Sequence, residues 1–248
     1  MIAATIDALD AAASLVAAAR AGRRDNQAEY RLAALDPTAL AVALSDPAHR
    51  LAFWLNVYNG AVRARLLQDP AAYRRRWRFF SSPAITVAGR RLSPNAIEHG
   101  ILRRSAISLG LGYVRNPVPS RFERLHRVGR LDPRIHFALN CGARSCPPLA
   151  AYHPEHLDAQ LDAAARSYLS GETAVLDGGA SVRIPRLLLW YLGDFGGRSG
   201  ILRLLRRFEV IGPRAAPRVT FGAYDWTLAV EPPPRDLAAP ETGLRDRR

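Results

Sequence analysis

The stretch RIHFALNCGARSCPPL, residues 134–149, contains Cys141 and Cys146, the only two cysteines in a chain of 248 residues, and they follow His136 by five and ten positions. Three chemistries fit such a group. A disulfide would need an oxidising compartment, which nothing else in the sequence implies. A zinc site would draw on His136, Cys141, Cys146 and His153, four borderline-soft ligands within eighteen residues. Their spacing lacks the tight cysteine pair, about two to four residues apart, that opens a familiar zinc finger. The third chemistry is nucleophilic: an imidazole beside a cysteine makes a thiolate near neutral pH, and an acid or amide steers the imidazole. Cys141, followed by Gly142 at the turn out of an expected strand, could start a helical turn whose N–H groups lower its pKa and hold an oxyanion. His136 supplies a base, and Glu98, Asn56 or Asn140 could orient it. Fully extended, residues 136–141 would hold Cys141 about 16 Å from His136 at ~3.3 Å per residue. The chain must therefore fold back near residues 140–142; otherwise Cys146 returns to His136, or Cys141 takes His99 as its base.

Composition removes several other chemistries. The 35 basic residues are all arginine, so a lysine Schiff base, a lysine general base and a P-loop lysine are excluded, and no cofactor is expected. There is no GxSxG elbow, no HExxH, no GxGxxG after a strand and no CxxC, whereas carboxylates paired from distant parts of the chain stay open. The net charge of +13 and the segment YRRRWRFF, residues 73–80, offer a polyanion-binding face, since aromatics interleaved with arginine can stack on bases and pair with phosphates. Without a nucleic-acid-binding motif, nucleic acid is not expected, although charge alone leaves it open. A small-molecule or peptide substrate of unknown identity is the expected partner. No apolar run approaches the ~18 residues of a membrane helix, and the N-terminus lacks a basic leader and cleavage site, so no membrane association and a cytoplasmic location with reduced thiols are expected.

The elements that must position these residues follow from periodicity and capping. A 48% hydrophobic share and the chain length favour one domain with one core over residues 1–230, and the proline-, arginine- and acid-rich residues 231–248 read as a disordered tail. An alanine-rich helix is expected over residues 2–21, loosely attached, with Gly22 as its stop. Asp46 and Pro47 form an N-cap and first-turn pair for a helix reaching Gln68, with Leu51, Trp54, Leu55, Tyr58, Val62 and Leu66 as its core stripe. Its other face holds Asn56 and Gly60 with few charges, and Gly60 costs about 1 kcal/mol relative to Ala, which predicts that something approaches it closely. Residues 85–92 read as a hairpin turning at Gly89, and Ser93 with Pro94 caps a helix carrying Glu98 and His99. Residues 135–139 alternate apolar and polar and predict a strand with His136 and Asn140 on one face. Later come a helix near residues 157–170, a strand at 182–184, helices at 186–192 and 199–208, and a closing strand at 219–226. Short strands among helices without a βαβ rhythm predict an α+β domain, its helices packed on a small, mostly antiparallel sheet.

FWLNVYNG (residues 53–60), LSPNAIEHGILR (92–103), DPRIHFALNCGARSCPPL (132–149), the WY and DF pairs (Trp190, Tyr191, Asp194, Phe195) and YDW (224–226) resemble, in that order, the domain of unknown function 547 family, over about residues 30–230. The resemblance implies a papain-like cysteine-hydrolase relative with a Glu, His, Cys constellation. It assigns Glu98 as the orienting acid, His136 as the base and Cys141 as the nucleophile, with Cys146 in reserve. Asn56 and Tyr58 would line or brace the pocket.

Overall fold

Three aspartates start three of the first four helices. In this computed structural model, which describes residues 2–229, α1 (Ile2–Arg20) leads into α2 (Asn26–Ala34), α3 (Pro37–Ala43) and α4 (Pro47–Gln68). Asp25, Asp36 and Asp46 each accept hydrogen bonds from first-turn amides of α2, α3 and α4 respectively, and Pro37 and Pro47 occupy the first turn, where a missing N–H costs nothing. The cap at Asp46 and the helix end at Gln68 agree with the reading from sequence. The expected disordered tail lies outside the described residues.

Every residue of α4 from Ala52 to Arg63 is buried, so the second face is covered as completely as the first. The cover is α1, which the sequence reading takes as loosely attached; it instead lies along α4 through Ala8, Ala11, Ala12 and Leu15, all buried. Alanine is what permits this close packing. A Cβ on Gly60 would stand 2.6 Å from the Leu15 Cβ, so the glycine is there to admit α1.

Beyond α4, a 3₁₀ turn (Pro70–Arg75) and α5 (Arg76–Ser81) carry the arginine–aromatic segment. Tyr73 and Phe79 are buried edge-to-face, and of the four aromatics only Trp77 is exposed. The segment therefore spends most of its rings on the core. The hairpin β1 (Ile85–Val87) and β2 (Arg90–Leu92) turns at Ala88 and Gly89, both at positive φ (50° and 68°), and its turn amides bond to the carbonyls of Leu32 and Ala33 at the end of α2. Ser93 then caps Ala96–Leu102, a π-helix rather than an α-helix.

Between the π-helix and residue 133 lies a short helix, α6 (Arg121–His126). The later chain builds α7 (Leu157–Glu172), β3 (Ala174–Leu176), β4 (Ser181–Ile184), α8 (Leu187–Trp190), α9 (Gly197–Arg207) and β5 (Arg218–Phe221). β4 pairs antiparallel with β3 and parallel with β5. The chain is α+β, but its strands form two separate small sheets, one antiparallel and one mixed, instead of a single mostly antiparallel one. The closing strand ends at Phe221; residues 224–228 run on irregularly, with one bridge between Leu228 and Ala143. Among the described residues, no helix is long and apolar enough to cross a membrane.

Two hydrophobic clusters result, one around α4 and one around α7, α9 and the mixed sheet. The segment expected as a strand at 135–139 lies between them and is a 3₁₀ turn, Pro133–Phe137. Asp132 accepts the Arg134 amide and Pro133 fixes the first φ, which starts a helical turn. Ile135 enters the first cluster and Phe137 the second, so burial on two sides imitates the alternation of a strand. The core is double, not single.

Candidate functional site

The π-helix carries the first half of the site. Its bonds run five residues apart, from Arg103 N–H to the Glu98 carbonyl (2.7 Å) and from Ser105 N–H to that of Gly100 (2.8 Å). Such widened turns recur at functional sites. Here Glu98, His99 and Arg103 reach one buried region, where the Arg103 Nη1 stands 2.9 Å from His99 Nδ1. Arginine only donates, so Nδ1 is the acceptor and the proton of the neutral ring belongs on Nε2.

His136 comes from the 3₁₀ turn between the clusters. Its Nε2 stands 3.0 Å from Asp194 Oδ2, and the same oxygen receives Arg103 Nε at 2.5 Å. The ring stacks on Tyr191, centroids 3.8 Å apart and planes 16° from parallel. Burial pushes the His136 pKa down, and although Asp194 pushes it back up, Arg103 shares that carboxylate, so the ring stays below its ordinary value. Burial would raise Asp194, but hydrogen bonds and charge from His136 and Arg103 hold it below the usual carboxylate range. The pair is thus an ionised Asp194 accepting from Nε2–H of a neutral imidazole. Among the described residues no hydrogen bond engages His136 Nδ1, the nitrogen left with a lone pair.

Glu98 does not orient His136. Its Oε1 accepts from the Tyr191 hydroxyl at 2.6 Å and its Oε2 from Tyr58 at 3.4 Å, and it lies 3.6 Å from His99. Burial acts to raise its carboxyl, yet His99, the Tyr191 hydroxyl, His136 and Arg103 together leave it lowered. His99 is itself lowered, by burial first. Tyr58 and Tyr191 are raised well above the ordinary phenol, by burial and then by Glu98, and remain donors.

Cys141 and Cys146 are joined as a disulfide, against the expectation of reduced thiols, and in this state neither sulfur is a thiolate. The chain does fold back at 140–142. Asn140 Oδ1 accepts the Gly142 N–H at 3.0 Å, its Nδ2 donates to the Pro147 carbonyl at 2.7 Å, and the Cys141 N–H donates to Cys146 Sγ at 3.0 Å. Gly142 sits at φ +86°, where a Cβ would collide with Leu66. Its N–H is taken, so it does not offer the oxyanion donor expected of it. The Tyr224 hydroxyl lies 3.4 Å from Cys141 Sγ and 3.2 Å from Cys146 Sγ, and no hydrogen bond links either sulfur to a histidine among the described residues.

A pocket of about 250 Å³ gathers these groups: Glu98, His99, His136, Cys141, Cys146 and Tyr58 line it, with Trp190, Tyr191, Tyr224 and Trp226 as its aromatic wall. Asn56 is not in it; both its side-chain atoms bond the Tyr152 backbone at 2.8 Å. The four zinc-ligand candidates do not converge, and among the described residues no group of three or more His, Cys, Asp or Glu side chains is arranged to hold a metal. A larger cleft, about 1290 Å³, opens between the start of α4 and α7 and α9, but its Arg134 is already paired with Asp132, Asp158 and Asp162.

Asp194, Arg103, Tyr191 and Tyr224 have no role that the sequence alone predicts. Each sits inside a quoted motif, in the DF pair, at the end of LSPNAIEHGILR, in the WY pair and in YDW, so the signal was present without a geometry to interpret it. No curated protein and no solved structure matches the chain. The family model for a protein of unknown function, DUF547, matches residues 42–169, which include Glu98, His136 and both cysteines but stop short of Asp194 and Tyr224. With more than half of its length matched, the chain belongs to the DUF547 family.

Proposed function

We propose that the pocket is the active site of a cysteine hydrolase acting on an amide or ester, with Cys141 as nucleophile once a small thiol has reduced the disulfide. The observation that carries this reading is His136, its Nε2–H bound to the ionised Asp194 and its Nδ1 uncommitted, lining the same pocket as Cys141. Two equivalents of reducing thiol would convert the bridge to two cysteine thiols and leave as their own disulfide. The Cys141 proton then passes to His136 Nδ1, the thiolate forms a C–S bond to the substrate carbonyl, and the imidazolium returns the proton to the departing amine or alcohol. Water cleaves the thioester by the reverse sequence. With the Gly142 N–H engaged, the oxyanion donor assigned here is Tyr224, whose hydroxyl borders both sulfurs and whose pKa is raised by burial. Cys146 stays in reserve, since the N–H of Cys141 reaching its sulfur favours charge there.

Alkylation by iodoacetamide near pH 7, followed by peptide mass analysis, tests this. Oxidised protein should resist; reduced protein should label at Cys141 with an apparent pKa below the free value of ~8.5. His136→Gln should raise that pKa, and Cys141→Ser should remove the fast label. A second reading, a non-catalytic binding domain, is favoured by the sulfurs being bound to each other beneath an aromatic wall. Ordinary reactivity at both cysteines, unmoved by His136→Gln, would leave that reading in place.

A further inference from the structure

We propose that Arg104, Arg115, Arg127 and Arg130 form a binding site for a phosphoryl anion, a phosphate monoester free in solution or borne on a lipid headgroup. The four side chains line a separate cavity of about 410 Å³, with Ser105, Asn116 and the Gly193–Asp194 turn completing its wall. Asp194 is the sole carboxylate there, and Arg103 already offsets it. Four arginines therefore line a cavity whose one carboxylate is already paired with the buried Arg103.

Two of the four are held in place and two are open. Arg115 Nη1 donates to the Arg103 carbonyl while its Nη2 stands 3.7 Å from Asp194 Oδ1, and Arg127 Nη1 donates to the Ser105 hydroxyl at 3.2 Å. Among the described residues, no hydrogen bond or ion pair engages the guanidinium group of Arg104 or of Arg130. Arg104 and Ser105 are consecutive non-glycine residues at positive φ, 53° and 61°, and their amides are satisfied by the carbonyls of Ile101 and Gly100. Such strain persists where the surroundings enforce it and clusters at ligand sites. A carboxylate needs one guanidinium; a phosphoryl dianion with three acceptor oxygens uses several forks at once, which matches this set.

The cavity meets the cysteine pocket only at Asp194, and no residue of it donates to or accepts from either sulfur, so variants at Arg104 and Arg130 test the anion site without touching the residues of the cysteine reading. Calorimetric titration of the full chain with inorganic phosphate, at ionic strength fixed with chloride, tests it. Binding should saturate at one site and weaken at least tenfold in the Arg104→Ala/Arg130→Ala variant. Arg130→Glu alone, at an exposed position, should lose as much and guards against misfolding at the strained Arg104. Phosphate heats no larger than those of chloride, or either variant binding like the parent, would overturn the proposal. Competition by glycerol 3-phosphate would assign the soluble source. Co-sedimentation with phosphatidic acid vesicles but not phosphatidylcholine vesicles, lost in Arg130→Glu, would assign the headgroup; failure of both ligands would also overturn it.

Discussion

Two buried polar systems of this molecule differ in how completely they are satisfied. On α4, Asn56 clasps the Tyr152 amide and carbonyl, while Asn59 donates to the Ala138 carbonyl and accepts the Asn140 N–H, at 2.8–3.0 Å throughout. Both side chains are neutral, and each is used at both ends. The cluster of Glu98, His99, Arg103, His136 and Asp194 is also largely buried, yet it is ionic and leaves Arg103 Nη2 and Asp194 Oδ1 without hydrogen bonds. The asparagines bracket the cysteine turn and hold its backbone; the charged cluster keeps unspent hydrogen-bonding capacity beside a pocket. Burial alone does not separate structure from chemistry, whereas the accounting of donors and acceptors does.

The comparison breaks most sharply at Asp194. Asp194→Asn leaves the fully buried Arg103 without its counter-ion and should cost about 3–5 kcal/mol, read as a lower urea midpoint. Pairing Asp194→Leu with Arg103→Met should recover much of that loss, because it removes both charges; no recovery would mean that the cluster is stabilised by more than this pair. Asn59→Ala should cost less, about 1–3 kcal/mol, by stranding the Asn140 N–H and the Ala138 carbonyl. A cost equal to that of Asp194→Asn would erase the proposed distinction between neutral and ionic burial. Gly60→Ala gains about 1 kcal/mol of helix propensity but drives a Cβ into Leu15, so a net loss of about 1 kcal/mol is expected from thermal melts, and a gain would show that α1 can give way.

The smallest effect at neutral pH concerns His126, buried with both ring nitrogens unpartnered between Trp54 and Phe122. Burial, then Arg50, lowers its pKa to about 4 from 6.5. Between those values the unfolded chain holds a proton that the folded chain lacks, so stability should fall by one proton's slope as pH drops from about 6.5 to about 4. His126→Phe should flatten that window with little change at pH 7. Denaturant midpoints measured across it check the slope; an unaltered profile assigns the protons elsewhere, to His99 and His136.

Local signals were legible where one element decides the outcome. Asp46, Pro47 and Asp69 bound α4, Gly89 marks the hairpin turn, and Gly60 announces the helix packed against it. The pocket's membership was also largely legible, since Glu98, His99, His136 and both cysteines do line it. What sequence could not supply was pairing over distance. Asp194 reaches His136 across 58 positions, and Tyr224 reaches Cys141 across 83, and no local periodicity encodes either. The strand expected around His136 failed for a related reason: alternation reports burial on two sides, and two hydrophobic clusters can produce it as readily as a sheet.

The irregular segment after β5 closes over the cysteine turn like a zip with few teeth. Arg144 N–H reaches the Thr227 carbonyl, Ser145 N–H that of Asp225, and Ala229 N–H that of Gly142. Local opening here would break these bonds, the one from Asp225 N–H to the Ser145 hydroxyl, and the packing of Tyr224 and Trp226 on Trp190. Parting them would swing Tyr224 off both sulfurs together, so amide exchange at Arg144 and Ala229 would report how often the bridge loses its phenol neighbour.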